Sequence, residues 1–493
     1  MQAEQLFNGL EIKNQFDDKN INISGITISS ENVKQDYAYI CINGTKVDGH
    51  NFAKKAKEKG ASCLVVEKLL DIDIPQILVE DTRKATGIIA SNFYGNPRKN
   101  FKLIGITGTN GKTTSTYMIK NIMECAGKKV GVIGTIGVVI GDKHFSNALT
   151  TPDPIELHKI FRQMADENVD VVVMEVSAHA IALQKINGLK FDVGILTNVT
   201  QDHLDFFGTF ENYAKTKSDF IKPKYCKVGV VNNDDKIGKN IDFAMQNCKR
   251  DDFCVKSFGL NNAYAMADNI KFDINGSQYN LKIGDKNTQI DTKLIGKFNV
   301  YNAISSALAC YELGIDLETI KRGLDTMDFV SGRINVIRLE NGASVVIDYA
   351  HTPDGLQNIL ESVKEVSNGK IFCVFGCGGN RDSTKRPIMG EISGKIADFS
   401  VLTSDNPRLE RPEAIISDIE KGISKVTNQY ICITDRTMAI NYVLRELKPD
   451  DVAVIAGKGA EDYLDIGGKK LHYSDFEAVE QESRKIFNEA QKC

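Results

Sequence analysis

The segment GTNGKTT joins an apolar run, KLIGIT, to a stretch of helix-forming residues and carries a lysine at the end of a glycine-rich turn. Backbone N–H groups of such a turn bind phosphate oxygens, the lysine neutralises the β and γ phosphates, and a following threonine can ligate magnesium. Ile106 departs from the common GxxxxGK[ST] spacing, which has glycine there. A glycine turn with an unrelated lysine is the alternative. The predicted phosphate loop consists of Gly108, Thr109, Asn110, Gly111, Lys112, Thr113 and Thr114.

Acidic and imidazole side chains follow two further apolar runs. Glu175 ends the run VVVME, while Asp202, His203 and Asp205 follow FDVGILTNV. Magnesium bound to a nucleoside triphosphate prefers oxygen ligands and needs few contacts from the protein. Two such strand ends beside a phosphate loop predict a magnesium site, although Glu175 alone could be an ordinary strand-end carboxylate.

Two lysines, Lys215 and Lys217, follow in the segment ENYAKTKSDF. Their charge pattern alone is typical of lysines on the solvated face of a helix. The sequence by itself therefore assigns them no chemistry.

The elements that must position these residues change character along the chain. From residue 101, the runs KLIGIT, VDVVVMEV, FDVGILTNV and KVGVVNND alternate with helix-length segments, which indicates a parallel sheet covered by helices. Before this, short strands and a charged helix end at YGNPRKN; past residue 332, the strands KIFCVFG, FSVLTSD and DVAVIAG each precede polar residues. Ligands of open α/β sheets bind beyond the carboxyl ends of strands, so these endings predict one crevice. We predict an α/β protein with domains at residues 1–99, 100–331 and 332–493.

Length and composition limit the classes of protein to which this chain can belong. The chain has 493 residues, enough for about three domains of ordinary size. Its net charge of −4 offers no basic excess for nucleic acid. The longest apolar stretch, residues 130–141, is broken by glycines and is shorter than the roughly 20 residues that span a bilayer. The N-terminus lacks the pattern of a signal peptide, so we expect a cytoplasmic protein without membrane insertion.

Cysteine and histidine usage argues against a disulfide framework or a zinc site. The 11 cysteines form no CxxC pair, and the seven histidines show no HxxxH spacing. We expect reduced structural thiols, with Cys373 on a buried strand and Cys377 in the turn that follows it.

Taken together, ten motifs occur in the order found in the Mur ligases, and the chain resembles that family from about residue 22 to residue 465. The resemblance implies three domains: an N-terminal UDP-substrate domain, a central P-loop parallel-sheet ATPase and a Rossmann-like C-terminal domain that binds an amino acid. The motifs are GTNGKTT, TTPDP, MEVSAHA, TQDHLD, GKFNVYN, DYAHTPD, VFGCGGNRD, KRPIM, SDNPR and AGKGAEDY.

Within the family, the chain is most similar to the enzymes that add the third residue of the peptidoglycan stem. The resemblance implies that ATP phosphorylates the D-glutamate carboxylate of UDP-N-acetylmuramoyl-L-alanyl-D-glutamate and that an amine displaces the phosphate. It further implies magnesium held by Thr113, Glu175 and His203, and a carbamylated Lys217 that holds a second magnesium. Catalysis would rest on Lys112, Lys217, His203 and Glu175. By position, Asp348 would face the ATP ribose, Asn302 the adenine and Arg333 the phosphates.

The residues that the resemblance assigns to substrate binding match the family pattern less completely than those assigned to ATP. This chain departs from the residues of the family motifs at five positions, namely Glu31, Ala178, Lys185, Asn380 and Ala460. The arginine-to-lysine change at Lys185 removes bidentate carboxylate recognition. The resemblance assigns the nucleotide peptide to Ser30, Thr150, Thr151, Ser177 and Lys185, and the amino acid to Arg381, Asp405, Asn406, Pro407, Arg408, Gly457 and Glu461.

The resemblance implies that ligases with arginine at the position of Arg408 add meso-diaminopimelate, whereas lysine-adding relatives usually carry a different residue there. A guanidinium can hold the distal carboxylate of diaminopimelate bidentately and would repel the ammonium of lysine, while Glu461 suits the distal ammonium. Alternatively, Arg408 would pair with Asp405 or Glu410 on the surface.

Three other functions remain as alternatives: an enzyme that adds L-lysine, a paralogous ligase with a poly-glutamate or folate-type acceptor, and a nucleotide switch or binding protein. The motifs VDGHNF and DNPR argue against the paralogue, and a switch would need none of the C-terminal motifs. We expect the active form to be a monomer.

Overall fold

The computed structural model describes residues 1–14, 21–44, 47–146, 149–246, 250–273 and 276–490. Within these ranges the chain forms three main sheets, each built around parallel strands. The order of the sheets along the sequence follows the three predicted domains, whose boundaries at 99/100 and 331/332 stay predictions.

The first sheet has four parallel strands in sequential order. Alanine and isoleucine side chains of the helix α3 (Thr82–Phe93) pack against it, and Asp81 caps that helix by accepting a hydrogen bond from the Lys84 N–H at 3.0 Å. The elements are α1 (Ala3–Leu6), β1 (Gly25–Thr27), β2 (Tyr37–Ile40), α2 (Ala53–Glu58), β3 (Ala61–Val66), β4 (Gln76–Leu78) and α3 (Thr82–Phe93), with 3-10 helices at Ser30–Asn32, Gly49–Phe52 and Pro97–Asn100.

The second sheet has eleven strands within the described residues, in the order β15-β14-β13-β12-β11-β10-β5-β9-β6-β7-β8. Its strands are β5 (Lys102–Thr107), β6 (Val130–Gly134), β7 (Gly137–Ile140), β8 (Lys143–Phe145), β9 (Val171–Glu175), β10 (Phe191–Leu196), β11 (Cys226–Asn232), β12 (Cys254–Gly259), β13 (Ala265–Asp273), β14 (Gly276–Ile283) and β15 (Lys286–Thr292). Its helices are α4 (Lys112–Cys125), α5 (Pro154–Asp166), α6 (Ala178–Ala182), α7 (Leu204–Phe207), α8 (Phe210–Phe220), α9 (Lys236–Gln246), α10 (Lys297–Glu312) and α11 (Leu317–Asp325).

The predicted parallel core lies at the centre of this second sheet. Strand β5 pairs with β9 on one side and with β10 on the other, all parallel. Ile106 pairs with Glu175 and Thr107 with Leu196, so the three strands end side by side. The glycine-broken apolar run at residues 130–141 forms an antiparallel pair, β6 and β7, because its two halves turn back at Gly134 and Gly137.

The third sheet follows the order β16-β17-β21-β18-β19-β20 and is parallel except for β16. Its strands are β16 (Asn335–Arg338), β17 (Ser344–Asp348), β18 (Ile371–Phe375), β19 (Phe399–Leu402), β20 (Tyr430–Cys432) and β21 (Val452–Ala456). Its helices are α12 (Pro353–Val366), α13 (Lys385–Ile396), α14 (Pro412–Ile423), α15 (Arg436–Glu446) and α16 (Asp475–Ala490), and a separate hairpin pairs β22 (Tyr463–Ile466) with β23 (Lys469–His472).

The three strands predicted for this sheet are confirmed as β18, β19 and β21. The prediction missed β17, a fully buried strand of only five residues that places Asp348 at its end. Strand β21, the last of the sheet in sequence, lies between β17 and β18. The strand order therefore changes direction at this point, and ligands of open α/β sheets usually bind at such a change.

Burial of Cys373 and Cys377 agrees with the expectation from sequence, whereas Cys254 and Cys432 are exposed. Nine cysteines lie in the described part of the chain; all are free thiols, and Cys373 and Cys377 are buried. Of the helices in the described ranges, none combines the length and the apolar character needed to cross a membrane.

Candidate active site

A cavity of about 770 Å³ lies where the strand ends of the second sheet face those of the third. It brings together most of the predicted site residues. Those lining it are Thr109, Asn110, Gly111, Lys112, Thr113, Thr114, Thr150, Glu175, Ser177, His203, Lys217, Asn302, Arg333, Asp348, Arg381, Asp405, Asn406, Arg408, Gly457 and Glu461. The predicted residues outside its lining are Ser30, Gly108, Thr151, Lys185 and Pro407.

The phosphate loop begins where β5 ends, and Lys112 opens helix α4. Its ammonium donates to the carbonyls of Gly108 and Thr109 at 2.8 and 2.9 Å. Ile106 is fully buried within β5, so the departure from the common spacing falls inside the strand, before the turn starts. The loop geometry therefore does not depend on a glycine at 106.

Oxygen donors suited to magnesium lie directly beside Lys112. The Thr113 hydroxyl donates to Glu175 Oε1 at 3.0 Å, and it accepts from the Arg333 guanidinium at 3.1 Å. Thr135, which the sequence analysis missed, holds the same carboxylate through its backbone N–H at 2.9 Å and its hydroxyl at 3.0 Å. Thr135 follows directly after β6, so its position at a strand end was the available signal.

This donor set fits magnesium bound to phosphates. A hydroxyl and a carboxylate are hard oxygen ligands, and magnesium is usually held by one or two carboxylates together with substrate phosphates. Among the residues that the structure describes, no group of three or more His, Cys, Asp or Glu side chains could hold a metal ion. A metal at Thr113 and Glu175 would therefore depend on ligands from the nucleotide.

His203 lies at the cavity wall with a neutral imidazole. Burial lowers its pKa to about 3, although the neighbouring Asp202 carboxylate, 3.3 Å from Nε2, acts in the opposite direction. The ring also packs edge-on against His179, with centroids 4.8 Å apart. The ring is thus uncharged at neutral pH, as a metal-binding imidazole must be.

Lys217 is buried, so the interpretation of its charge pattern as that of a solvated helix lysine is wrong. Lys215 on the same helix is exposed, as that pattern predicts. Helix α8 buries one face that contains Tyr213, Lys217 and Phe220, at the spacing of successive helical turns. Reading that apolar face would have placed Lys217 inside the protein.

The amine of Lys217 shares a single carbonyl with Lys112. Its Nζ donates to the Gly108 carbonyl at 2.7 Å, and Lys112 donates to the same oxygen at 2.8 Å. Burial, followed by the nearby Lys112 charge, lowers the pKa of Lys217 well below its ordinary value. The lowered pKa favours the uncharged, nucleophilic form of the Lys217 amine relative to an exposed lysine.

Asn302 and Asp348 line the cavity, as do the aromatic residues Phe258, Phe298 and Tyr301. Asp348 accepts backbone N–H groups of Ile334 and Ala350 at 2.9 and 2.7 Å, and burial raises its pKa. Its carboxylate therefore holds the linker into the third sheet as well as facing the cavity.

Arg408 stands on the turn after β19 and faces the cavity from the third sheet. The alternative pairing with Asp405 or Glu410 is wrong. The Arg408 Nη1 donates to the Gly379 carbonyl at 2.9 Å, and its Nε lies 3.8 Å from Asp465. Glu410 accepts instead from the buried Arg386 at 2.9 Å, which leaves the Arg408 guanidinium near the cavity.

The hairpin β22–β23, which the sequence analysis did not predict, supports this turn. The Arg408 N–H donates to the Asp465 carbonyl at 2.9 Å, and the Gly467 N–H donates to the Arg408 carbonyl at 2.7 Å. The Asp465 N–H donates to Asn406 Oδ1, also at 2.9 Å. Backbone bonds on both sides thus fix the turn.

Polar contacts join the two sheets across the cavity. Asn110 of the phosphate loop donates to Asp354 of helix α12 at 2.6 Å, and Lys385 of helix α13 lies 3.9 Å from Asp202. Sequence reasoning missed Asp354 and Lys385 as site residues, although both belong to motifs it recognised.

The departures from the family pattern fall into two groups. Asn380 and Ala460 are exposed and lie outside the cavity lining, and Asn380 Oδ1 accepts a hydrogen bond from the Leu409 N–H at 3.0 Å, directly after Arg408. Glu31 is exposed and pairs with Lys55 and Lys59. Ala178 does line the cavity, and Lys185 pairs with Asp153 at 2.9 Å.

Thr151 and Ser177 support each other at the edge of the cavity. The Thr151 hydroxyl donates to the Glu175 carbonyl and accepts from the Ser177 N–H, both at 3.0 Å. The Ser177 hydroxyl caps helix α6. Ser30 lies apart, buried at the start of a 3-10 helix beside the first sheet.

A phosphate loop on a parallel sheet, facing a second doubly wound sheet across a cavity lined by charged side chains, defines a nucleotide-dependent enzyme with a second substrate site. Family models described as "Mur ligase family, catalytic domain", "Mur ligase middle domain" and "Mur ligase, glutamate ligase domain" match residues 22–94, 106–310 and 332–459.

Two relatives and one solved structure carry the same functional name. A Clostridium acetobutylicum protein named UDP-N-acetylmuramoyl-L-alanyl-D-glutamate–2,6-diaminopimelate ligase 1 is 44% identical over 476 residues, which is 95% of this chain and 96% of the relative. A ligase of that name from Clostridium tetani is 42% identical and covers 94% of this chain and 95% of its own. The solved structure of such a ligase has 28% identity and a TM-score of 0.70 and covers 99% of both chains. The chain belongs to the Mur ligase family.

Proposed function

We propose that this protein uses ATP to join 2,6-diaminopimelate to UDP-N-acetylmuramoyl-L-alanyl-D-glutamate. The observation that carries the proposal is that Lys112 of the phosphate loop and Arg408 of the third sheet face one cavity. The names of the relatives, at 40–44% identity, support the substrates. Since the reaction consumes ATP, we place it in the cytoplasm.

ATP would lie with its phosphates on the loop at Gly108–Thr114 and its base near Asn302. Lys112 and Arg333 provide positive charge where the γ-phosphate is transferred, and Asp348 offers a carboxylate toward the ribose. Thr113, Glu175 and His203 would hold magnesium, which supplies charge neutralisation for the phosphates when bound. Lys112 and Arg333 stabilise the charge that develops during transfer.

The reaction converts a carboxylate into an acyl donor. A D-glutamate carboxylate oxygen bonds to the γ-phosphorus as the bond from that phosphorus to ADP breaks, which gives an acyl phosphate. The amine nitrogen of the amino acid then bonds to the acyl carbon and loses its proton, and phosphate leaves. Fixed positive groups beside the reacting oxygens lower both barriers.

Lys217 would act as a carbamate rather than as an amine. The carbamylation is supported by burial, by the lowered pKa and by its position on the Gly108 carbonyl beside Lys112. An uncharged amine adds to carbon dioxide, and the product is an anion that lies next to a cation and would hold a second magnesium.

The amino acid would enter from the third sheet. The Arg408 guanidinium would hold its distal carboxylate and Glu461 its distal ammonium, while Arg381, Asp405, Asn406, Pro407 and Gly457 shape the surrounding turns. The UDP-dipeptide would contact Ser30 in the domain at residues 1–99, and Thr150, Thr151, Ser177 and Lys185 along the central domain.

Mass spectrometry of the reaction product tests the proposal. Purified protein would be supplied with ATP, the UDP-dipeptide and an equal mixture of diaminopimelate and L-lysine. We expect one product, the UDP-dipeptide extended by diaminopimelate, together with ADP and phosphate. Extension by lysine would refute the specificity, and the absence of any extension would refute the ligase assignment.

Replacing Arg408 with alanine should weaken the use of diaminopimelate by about ten- to a hundredfold in kcat/KM. A charge-assisted pair contributes about 1.5–3 kcal/mol, which corresponds to that range. Because the guanidinium no longer repels an ammonium, any slow reaction with lysine should stay unchanged or improve. Steady-state rates at varied amino-acid concentration measure both effects.

Arg411→Ala serves as the matched control, because Arg411 lies three residues further on and its side chain is 87% exposed. It should keep the wild-type kcat/KM. Equal effects of the two substitutions would mean that the loss of one positive charge anywhere on this segment, not the loss of the Arg408 contact, lowers kcat/KM.

A further inference from the structure

Lys458 is a fully buried cation directly behind the amino-acid end of the cavity. Its ammonium donates to Asn406 Oδ1 and to Glu461 Oε2, both at 3.3 Å. Asn406 and Glu461 line the cavity, whereas Lys458 does not. The lysine therefore touches two residues of the site from the side away from the substrate.

The loop that carries Lys458 is built to bring it to this place. Gly457 and Gly459 flank it with φ values of +119° and +53°. A Cβ atom at 457 would lie 2.5 Å from Asp405 Oδ2, and one at 459 would lie 2.6 Å from the Gly332 carbonyl. Only glycine therefore allows the loop to pass this close to the Asp405 turn and the linker.

The contacts of Lys458 fix the orientation of the Asn406 amide. Two donors, Lys458 Nζ and the Asp465 N–H, point at its oxygen, so its nitrogen must face Glu461. That nitrogen donates to Glu461 Oε2 at 2.8 Å. Oε2 is thus engaged from two sides.

The other oxygen of Glu461, Oε1, is held less firmly. Oε1 lies 3.4 Å from the Tyr349 hydroxyl, at the limit of a hydrogen bond, and the side chain is partly exposed to the cavity. With one oxygen held by Lys458 and Asn406, the carboxylate can present Oε1 in one direction.

We propose that Lys458 is a positioning residue for the distal ammonium of the incoming amino acid. It holds Asn406 and Glu461 so that Oε1 of Glu461 accepts that ammonium. The inference rests on the proposed function, because it takes diaminopimelate as the amino acid. A purely structural role, packing beside Tyr463 and Tyr473, is the competing explanation.

The test compares diaminopimelate with 2-aminopimelate, which has both carboxylates but lacks the distal amine. Lys458→Met keeps the length of the side chain and removes its charge. We expect the KM for diaminopimelate to rise about tenfold or more, with little change for 2-aminopimelate, so that the preference for diaminopimelate shrinks. The KM for ATP should stay constant.

Lys469→Met is the matched control, because Lys469 is exposed on the neighbouring hairpin. It should leave the preference at the wild-type value. An unchanged preference in a folded Lys458→Met variant would overturn the inference, and a loss that affects ATP and both amino acids equally would indicate the structural role.

A double-mutant cycle with Glu461→Gln separates the two roles further. If Lys458 acts through Glu461, Lys458→Met should have little additional effect on the KM for diaminopimelate in the Glu461→Gln background. Additive effects would refute the coupling. If Lys458→Met fails to fold in thermal unfolding, Lys458→Gln retains a donor for Asn406 and takes its place in the cycle.

Wild-type protein that fails to use diaminopimelate at all would refute the proposed function itself. Wild-type protein that uses it, combined with an unchanged preference in the Lys458 variants, would refute only the role of Lys458. The two failures are therefore distinguishable.

Discussion

Lys112→Ala should abolish detectable ligation, a loss of about a thousandfold or more in kcat. In the structure the Lys112 ammonium is held by two loop carbonyls beside Thr113 and Arg333, at the point where the γ-phosphate would be transferred. Burial lowers the pKa of Lys112 more than the nearby Glu175 and Asp202 carboxylates raise it, and bound phosphates would favour its charged form. The contact strengthens as charge develops, so its loss should appear in kcat.

Release of ADP and phosphate, followed with the UDP-dipeptide and the amino acid at saturation, measures this loss. Calorimetric titration should show that the variant still binds the UDP-dipeptide, and thermal unfolding should show a folded protein. Lys120→Ala is the control, because Lys120 lies on the same helix and pairs with Glu124 at the surface. A Lys112→Ala variant that ligates at close to the wild-type rate would remove the phosphate-loop assignment.

Lys217→Ala should lose activity by about a hundredfold or more, and small carboxylates such as acetate or formate should restore part of it. The expected carbamate is an anion, and an added carboxylate can occupy the space that truncation leaves. Because Lys112 is a cation, Lys112→Ala should not respond to the same additives.

Two measurements check the modification independently of activity. Wild-type protein equilibrated with ¹³C-bicarbonate should show a carbamate carbon by NMR, and Lys217→Ala should not. Lys215→Ala, which alters an exposed residue of the same helix, should retain both activity and the signal. An unmodified Lys217 together with an active alanine variant would show that the lysine is buried for structural reasons alone.

Local sequence signals predicted where the glycine-rich loop and the strand-end residues lie in the fold, while their binding roles stay predictions. Gly108 to Thr114 are contiguous, and Glu175 and His203 follow strands whose apolar runs are unmistakable, so their convergence follows from the topology of a parallel sheet. The turn at Arg408 could be placed in the crevice for the same reason.

Contacts between distant segments of the chain could not be predicted in this way. Thr135 follows a strand, and Asp354 and Lys458 belong to recognised motifs, but no local pattern specifies the hydrogen-bond partners that bring them to the site. Lys217 is an intermediate case. Its charge suggested solvent, but its place on the buried face of α8 could have been read from the periodicity.

The two glycines beside Lys458 also restrict which amino-acid substitutions this loop can accept during evolution. Every replacement that a single base change can make in a glycine codon adds a Cβ atom, and in this loop that atom would collide with Asp405 from position 457 or with the linker carbonyl of Gly332 from position 459. Even the smallest amino-acid substitution, glycine to alanine, is therefore unfavourable on either side of Lys458. Ala460, the next residue, is exposed and already carries a Cβ atom, so amino-acid substitution is restricted at the two glycines and less restricted directly after them.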